Sequence, residues 1–344
     1  MVYDLMNTSA PIKKKLLRHD AMQKIFGLIK LEMALVEAEF ERQVSSNVQM
    51  IDYLGDYLRS SGGKRLRPAL LILSNYAIGG DGASERVIRL ATVMEMLHTA
   101  TLVHDDIIDN AKLRRSRASV NARFGNQVAV LMGDWLYMSA FETSLTERSL
   151  EILDILTRLT RQMTEGELIQ ITMIRNADIT EDDYFGILRR KTAYLFSGCC
   201  EIGAILAGAN AEQQAALRDY GMNLGIAFQI ADDLLDFTSD EKILGKAAGA
   251  DLLEGKLTLP LILLVKDQPN VKAELEEIMR AGAYLNGSRA GILDKLTAIH
   301  TLEKTRSVAL GFVEQARKNL EVLPKTEYCF GLDEIPNFVI ERNN

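Results

Sequence analysis

Apolar residues recur every three or four positions along six long stretches of this chain, roughly residues 22–44, 85–108, 120–144, 150–174, 182–206 and 211–237. That period marks amphipathic helices, and no stretch shows the strict alternation of a half-buried strand. With only 6 prolines in 344 residues, little interrupts the helices. The pattern predicts an all-α fold, a single large helical bundle spanning residues 1–344, with residues 1–20 as a loosely ordered N-terminal segment. Polar and glycine-rich breaks at residues 60–63, 79–82 and 110–119 are expected to be loops between helices.

Two of the helical stretches carry the same acidic signature, Asp105-Asp106-Ile107-Ile108-Asp109 and Asp232-Asp233-Leu234-Leu235-Asp236. Side chains four apart share a helix face, so Asp105 with Asp109, and Asp232 with Asp236, each form a small carboxylate clamp. One such motif alone is commonly a solvated helix end. Two copies in apolar surroundings crowd carboxylates into a partly buried space, which is costly unless cations neutralise them. Mg²⁺ takes one or two carboxylates, keeps several waters and fills its remaining positions with phosphate oxygens. Two facing clamps therefore point to a bound diphosphate.

Positive charge lies where such an anion needs it. In Gly62-Gly63-Lys64-Arg65-Leu66-Arg67-Pro68, flexible glycines precede three cations and a proline suited to a first helical turn. Helix-start N–H groups and the basic side chains together favour phosphate there. His98, Thr101, Asp105 and Asp109 step along one stripe of the first acidic helix, so His98 should face the same cavity. Arg114 and Arg115 follow directly, positioned to fold guanidinium forks over a phosphate. Gln229 and Asp233 are also four apart, Lys191-Thr192 lies on the preceding long helix, and Lys246 and Lys256 follow the second motif.

The formal net charge of −7 gives no support for nucleic acid as a partner. Lys13-Lys14-Lys15 precede no continuous apolar region, so a secretory signal is not expected, and the purely apolar runs are too short to cross a bilayer. Cys199, Cys200 and Cys329 match no metal spacing and read as reduced core residues of a cytoplasmic protein.

Taken in order, Gly-Gly-Lys-x-x-Arg-Pro68, His98 through Asp109, Arg114-Arg115, Phe124-Gly-Asn, Gly133-Asp, Lys191-Thr192, Gln229-x-x-Asp-Asp-x-x-Asp236, Leu244-Gly-Lys and Glu254-Gly-Lys-x-Thr-Leu-Pro260 resemble the trans-isoprenyl diphosphate synthase (polyprenyl synthetase) family, above all its octaprenyl and other long-chain members. The resemblance implies a bundle of the isoprenoid-synthase type with a central cavity and a Mg²⁺-dependent head-to-tail prenyltransferase. Such an enzyme condenses isopentenyl diphosphate with an allylic diphosphate, such as farnesyl diphosphate, into an all-trans polyprenyl diphosphate of about octaprenyl length. It further implies that Lys64, Arg67, His98 and Arg115 hold isopentenyl diphosphate. Arg114, Lys191, Thr192, Gln229, Lys246 and Lys256 would contact the allylic diphosphate. Asp105, Asp106, Asp109, Asp232, Asp233 and Asp236 would be the catalytic set, with Asp105, Asp109 and Asp232 ligating up to three Mg²⁺. Ser116 departs from the glycine that usually follows the arginine pair, which puts the backbone shape of that turn in question.

Ala100 and Thr101, five and four residues before Asp105, are small where short-chain relatives commonly place an aromatic, so the product tunnel should stay open beneath the first motif. Leu97, with Met94 and Val93, lies further down, and Met138 or residues 153–156 are candidates for its floor. The resemblance also implies a homodimer with residues 124–141 near the interface, and a lipid product that brings transient membrane contact without a transmembrane segment. The competing readings are a shorter-chain farnesyl or geranylgeranyl synthase, a class I terpene cyclase, a non-catalytic synthase subunit, and a purely structural helical protein. The Gly-Gly-Lys-x-x-Arg segment argues against a cyclase, and two intact acidic motifs argue against an inactive subunit.

Overall fold

The computed structural model describes residues 23–60, 62–115, 117–238, 249–284 and 288–341. The segment 1–20, Ser116 and Lys246 lie outside the described residues. After a helical stretch over residues 23–28, the helices run α1 (Lys30–Val44), α2 (Gln49–Arg59), α3 (Leu66–Ile78) and α4 (Glu85–Ile108). A two-stranded antiparallel ladder follows, β1 (Leu113–Arg114) and β2 (Arg117–Ala118), pairing Leu113 with Ala118 and Arg114 with Arg117. Then come α5 (Val120–Phe124), α6 (Asn126–Leu145), α7 (Leu150–Met173), α8 (Glu181–Leu188), α9 (Tyr194–Leu206) and α10 (Ala211–Thr238). The remainder holds α11 (Ala250–Leu253), α12 (Leu259–Asp267), α13 (Lys272–Ala281), α14 (Ser288–Ala298), α15 (Thr301–Asn319) and α16 (Glu327–Glu341). The all-α class expected from the periodicity is what folds.

Helices α4, α7 and α10 begin and end within a residue of the periodic runs, and side chains cap the starts of α7 and α10, the latter where the Gln213 N–H donates to Asn210 Oδ1. The Ser149 hydroxyl accepts the Ile152 N–H at the start of α7, and Thr180 with Asp183 forms a capping box at the start of α8. Two expected helices are broken. Gly125, at φ +86°, separates α5 from α6 in a backbone region open mainly to glycine. Between α8 and α9, residues Arg189–Ala193 form a π-helical turn.

The core has two parts. One gathers α1, α3, α4, α6, α7 and α9, and the other α8, α12, α13, α15 and the end of α10. Helix α10 joins them, giving Leu217, Tyr220 and Leu224 to the first and Ile226, Ile230 and Leu234 to the second. It therefore runs through the bundle centre, with its acidic motif at its C-terminal end opposite that of α4. Cys199, Cys200 and Cys329 are buried and free. No helix among the described residues is long and apolar enough to cross a membrane.

Candidate active site

A cavity of about 720 Å³ opens between the ends of α4 and α10, and its walls carry opposite charge. Asp105 and Asp232 face it from the two acidic helices. Lys64, Arg65, Arg67, His98, Arg114 and Arg115 form its basic side, while Lys191, Thr192 and Gln229 complete the rim. Residues read from separate segments of the sequence thus surround one space.

The basic wall is braced from behind by buried contacts. Arg65, in a left-handed conformation at φ +47°, donates to Glu37 at 2.6 Å and to Glu95 at 2.7 Å. It is a structural clasp, so the lysine and arginine on either side of it are presented to the cavity. Arg67 lies 4.9 Å over the Phe196 ring, and its buried Nε has no hydrogen-bond partner. A buried guanidinium N–H without an acceptor is costly unless an anion supplies one. Gly63 lets Arg115 lie against the backbone, since a Cβ there would sit 2.6 Å from Arg115 Nη1. Burial, then the charges of Arg67 and Arg115, holds His98 well below the usual imidazole range. His98 is therefore neutral, and offers an anion a single hydrogen-bond donor rather than a positive charge.

On the acidic wall, burial pushes the Asp105 carboxyl up to about 6 against the pull of Lys191. Lys191 itself pairs with Glu167 at 2.5 Å and donates to Gln170, both on α7. The π-helical turn carries Lys191 and Thr192 out to the cavity, and Gly166 makes room for it: a Cβ there would meet the Lys191 backbone nitrogen at 2.9 Å. A hydrogen-bond chain runs behind: Thr192 Oγ1 donates to Gln229 (2.9 Å), Gln229 Nε2 to Asp233 (3.0 Å), and the Tyr184 hydroxyl to Asp233 (2.6 Å). Burial, then the neighbouring Asp251, pushes Asp233 up to about 7.

Other acidic residues stand differently from the two-clamp pattern. Asp236 is buried and accepts the backbone N–H groups of Ala250 and Asp251, both at 3.2 Å, so it ties the start of α11 to the end of α10 and does not line the cavity beside Asp232. Asp106 turns away from the cavity and is clasped by Arg114 at 2.5 and 2.8 Å. Asp109 is exposed at the end of α4 and pairs with Lys256 at 3.1 Å, which also binds Glu254. Lys256 lines a smaller neighbouring cavity of about 160 Å³ with Tyr184 and Asp233.

The tunnel positions also differ from expectation. Thr101 lines the main cavity, but Ala100 and Leu97 are fully buried on another side of α4 and do not. Met138 is 63% exposed and does not line the cavity. Glu95, Glu167, Gln170 and Tyr184 escaped the sequence reading. Only Glu95, one turn below His98 on the same stripe, had a positional signal.

The donor set fits Mg²⁺ in one respect. Two carboxylates approach one cavity from opposite helices, and the burial of Asp105 disfavours its charge until a cation offsets it. Among the described residues no three potential ligands already converge, so phosphate and water oxygens would complete any such site.

Comparison with known proteins places this geometry in context. Residues 48–290 match the profile of the polyprenyl synthetase family. The octaprenyl diphosphate synthase of Escherichia coli (strain K12) is 38% identical over 324 residues, covering 94% of this chain and 99% of that protein. A decaprenyl diphosphate synthase from Rhodobacter capsulatus superimposes with a TM-score of 0.88 at 35% identity, covering 94% of this chain and 99% of that one. A polyprenyl synthase from Caulobacter crescentus CB15, complexed with calcium and isoprenyl diphosphate, gives 0.87 at 33% identity, with coverage of 94% and 98%.

Proposed function

The chain belongs to the polyprenyl synthetase family, and from that premise we propose that it condenses isopentenyl diphosphate head-to-tail with an allylic diphosphate, such as farnesyl diphosphate, into a long all-trans polyprenyl diphosphate of about octaprenyl length. The observation that carries this reading is the single cavity faced by Asp105 and Asp232 on one side and by Lys64, Arg67 and Arg115 on the other. Such a space suits two diphosphates, one held by cations of the protein and one bridged to carboxylates through metal.

Asp105 and Asp232, with Asp109 once Lys256 releases it, would hold Mg²⁺, which as a Lewis acid stabilises charge on the departing diphosphate. Lys191, Thr192 and Gln229 orient the allylic diphosphate, and Lys191 balances the charge that develops as its C–O bond breaks. Arg67, Arg115 and neutral His98 fix isopentenyl diphosphate so that its alkene lies against the allylic carbon, making the coupling effectively intramolecular. Apolar Leu102, Met163, Leu195 and Phe228 keep water from the cation. No side-chain nucleophile is required. The released diphosphate is the proposed acceptor of the proton lost when the new double bond forms.

Purified protein given isopentenyl diphosphate, farnesyl diphosphate and Mg²⁺ is expected to yield polyprenyl diphosphates longer than the starter, and none after chelation. Recovery of unextended starter, or of a cyclised hydrocarbon, would overturn the assignment. We place the homodimer contact on the outer face of α6, where Val130, Leu131 and Met138 are 42%, 69% and 63% exposed. Met138→Glu should then lower the mass measured by light scattering from dimer to monomer; a monomeric parent protein would remove this proposal.

A further inference from the structure

We infer that Tyr184 is a positioning residue for the allylic substrate: without touching that substrate, its hydroxyl fixes, through Asp233, which end of the Gln229 amide faces the catalytic cavity. This rests on the prenyltransferase reading above and adds a residue that belongs to neither the acidic motifs nor the basic wall.

Tyr184, on α8, is 3% exposed and does not line the catalytic cavity, and neither does Asp233. Gln229 and Thr192 do line it. Four side chains from three elements connect the two places. Tyr184 Oη donates to Asp233 Oδ2 at 2.6 Å, Gln229 Nε2 to Asp233 Oδ1 at 3.0 Å, and Thr192 Oγ1 to Gln229 Oε1 at 2.9 Å. The π-helical turn that carries Thr192 continues directly from α8, so the backbone from Tyr184 to Thr192 closes these bonds into a ring.

Donor counting gives each bond its direction. The Leu259 N–H, at the start of α12, acts on the Tyr184 oxygen, and the phenol proton goes to Asp233. A carboxylate only accepts, so Gln229 turns its N–H₂ to Asp233 and its oxygen to Thr192. The second amide N–H is then left for the cavity, where a diphosphate oxygen can accept it. Turned end for end, the same amide would present its carbonyl oxygen to the phosphate and repel it.

Backbone packing fixes everything here except these side-chain rotations. The π-helical turn is seated between Gly166 of α7 and Gly225 of α10: a Cβ on Gly166 would lie 2.9 Å from the Lys191 nitrogen, and one on Gly225 would lie 2.6 Å from Ala193 Cα. Tyr184 and Asp233 also border the smaller cavity of about 160 Å³. Without the hydroxyl, the Asp233 carboxylate is free to turn toward that space. Gln229 then loses the partner that holds its amide in one sense.

The test is Tyr184→Phe, which removes one oxygen and keeps the ring in the core. The KM for farnesyl diphosphate is expected to rise by about tenfold, the lower end of what losing a supporting hydrogen-bond partner costs, while the KM for isopentenyl diphosphate stays unchanged. Calorimetric binding of farnesyl diphosphate with Mg²⁺, in the absence of the second substrate, should weaken by the same factor. Gln229→Met removes the amide altogether, so in that background Tyr184→Phe should have no further effect on the farnesyl diphosphate KM. If Tyr184→Phe does not fold, Asp233→Asn takes its place: its N–H₂ confronts one of the two donors, and the same KM should rise. An unchanged farnesyl diphosphate KM in the folded variant, equal changes in both KM values, or independent effects of Tyr184→Phe and Gln229→Met would each overturn the positioning role while leaving the prenyltransferase reading in place. A parent protein that performs no condensation would bring down both.

Discussion

Asp105→Asn is expected to lower turnover by at least about 10²-fold, the scale on which losing one preorganised electrostatic contact acts on a transition state, and Asp232→Asn should behave alike. The same change should leave the metal-free protein at least as stable as its parent. A carboxyl whose folded value is raised above its ordinary one costs stability wherever it is ionised, and the cost vanishes only below its unfolded range. Asp105, pushed up to about 6 by burial, is ionised at pH 8 and bears that cost there. An asparagine of the same shape does not. Near pH 6 a proton competes with Mg²⁺ for Asp105, so the Mg²⁺ concentration giving half-maximal rate should rise as pH falls from 8 through 6. Steady-state rates across a Mg²⁺ and pH grid, with melting curves, check all of this. Turnover of the asparagine variant within tenfold of the parent would remove Asp105 from the chemistry.

Much of this arrangement was legible in the sequence, and the rest failed for identifiable reasons. Helices α4, α7 and α10 followed from apolar period because their register is set locally. The split at Gly125 and the π-helical turn at Arg189–Ala193 did not. A π turn needs only one residue accommodated by packing, here against Gly166, and leaves no mark on the period. Helical geometry put Asp232 and Asp236 on one face, but direction is not occupancy: the chain returning at Gly249–Asp251 offers backbone N–H groups that claim Asp236. Ala100 and Leu97 were chosen by their distance from Asp105, whereas the cavity is lined by Glu95, His98, Leu102 and Asp105, a stripe at steps of three and four. Glu95 lies on that stripe too, but its role as a partner of Arg65 depends on a contact between distant segments that helical spacing does not reveal.

That carboxylate supports the second large prediction. Glu95 is 4% exposed, accepts from Arg65 at 2.7 Å, acts on buried Arg67 more strongly than Asp232 does, and also acts on Arg115. Before substrate arrives, it is the counter-charge for three guanidinium groups. Glu95→Ala should destabilise the substrate-free protein by about 3–5 kcal/mol, the usual cost of removing one partner from a buried pair. Inorganic diphosphate brings negative charge to the same wall, and a ligand present at a hundred times its Kd adds about 2.7 kcal/mol. The variant, short of one negative charge, should bind it more tightly and recover more of its melting temperature than the parent gains. Glu95→Gln keeps a hydrogen-bond acceptor for Arg65 without the charge, so it should lose less stability yet show the same enhanced response to diphosphate. Thermal melts of the three proteins with and without diphosphate separate these effects. An equal diphosphate shift in all three would mean that Glu95 only braces Arg65, and that the anion site is tuned by other groups.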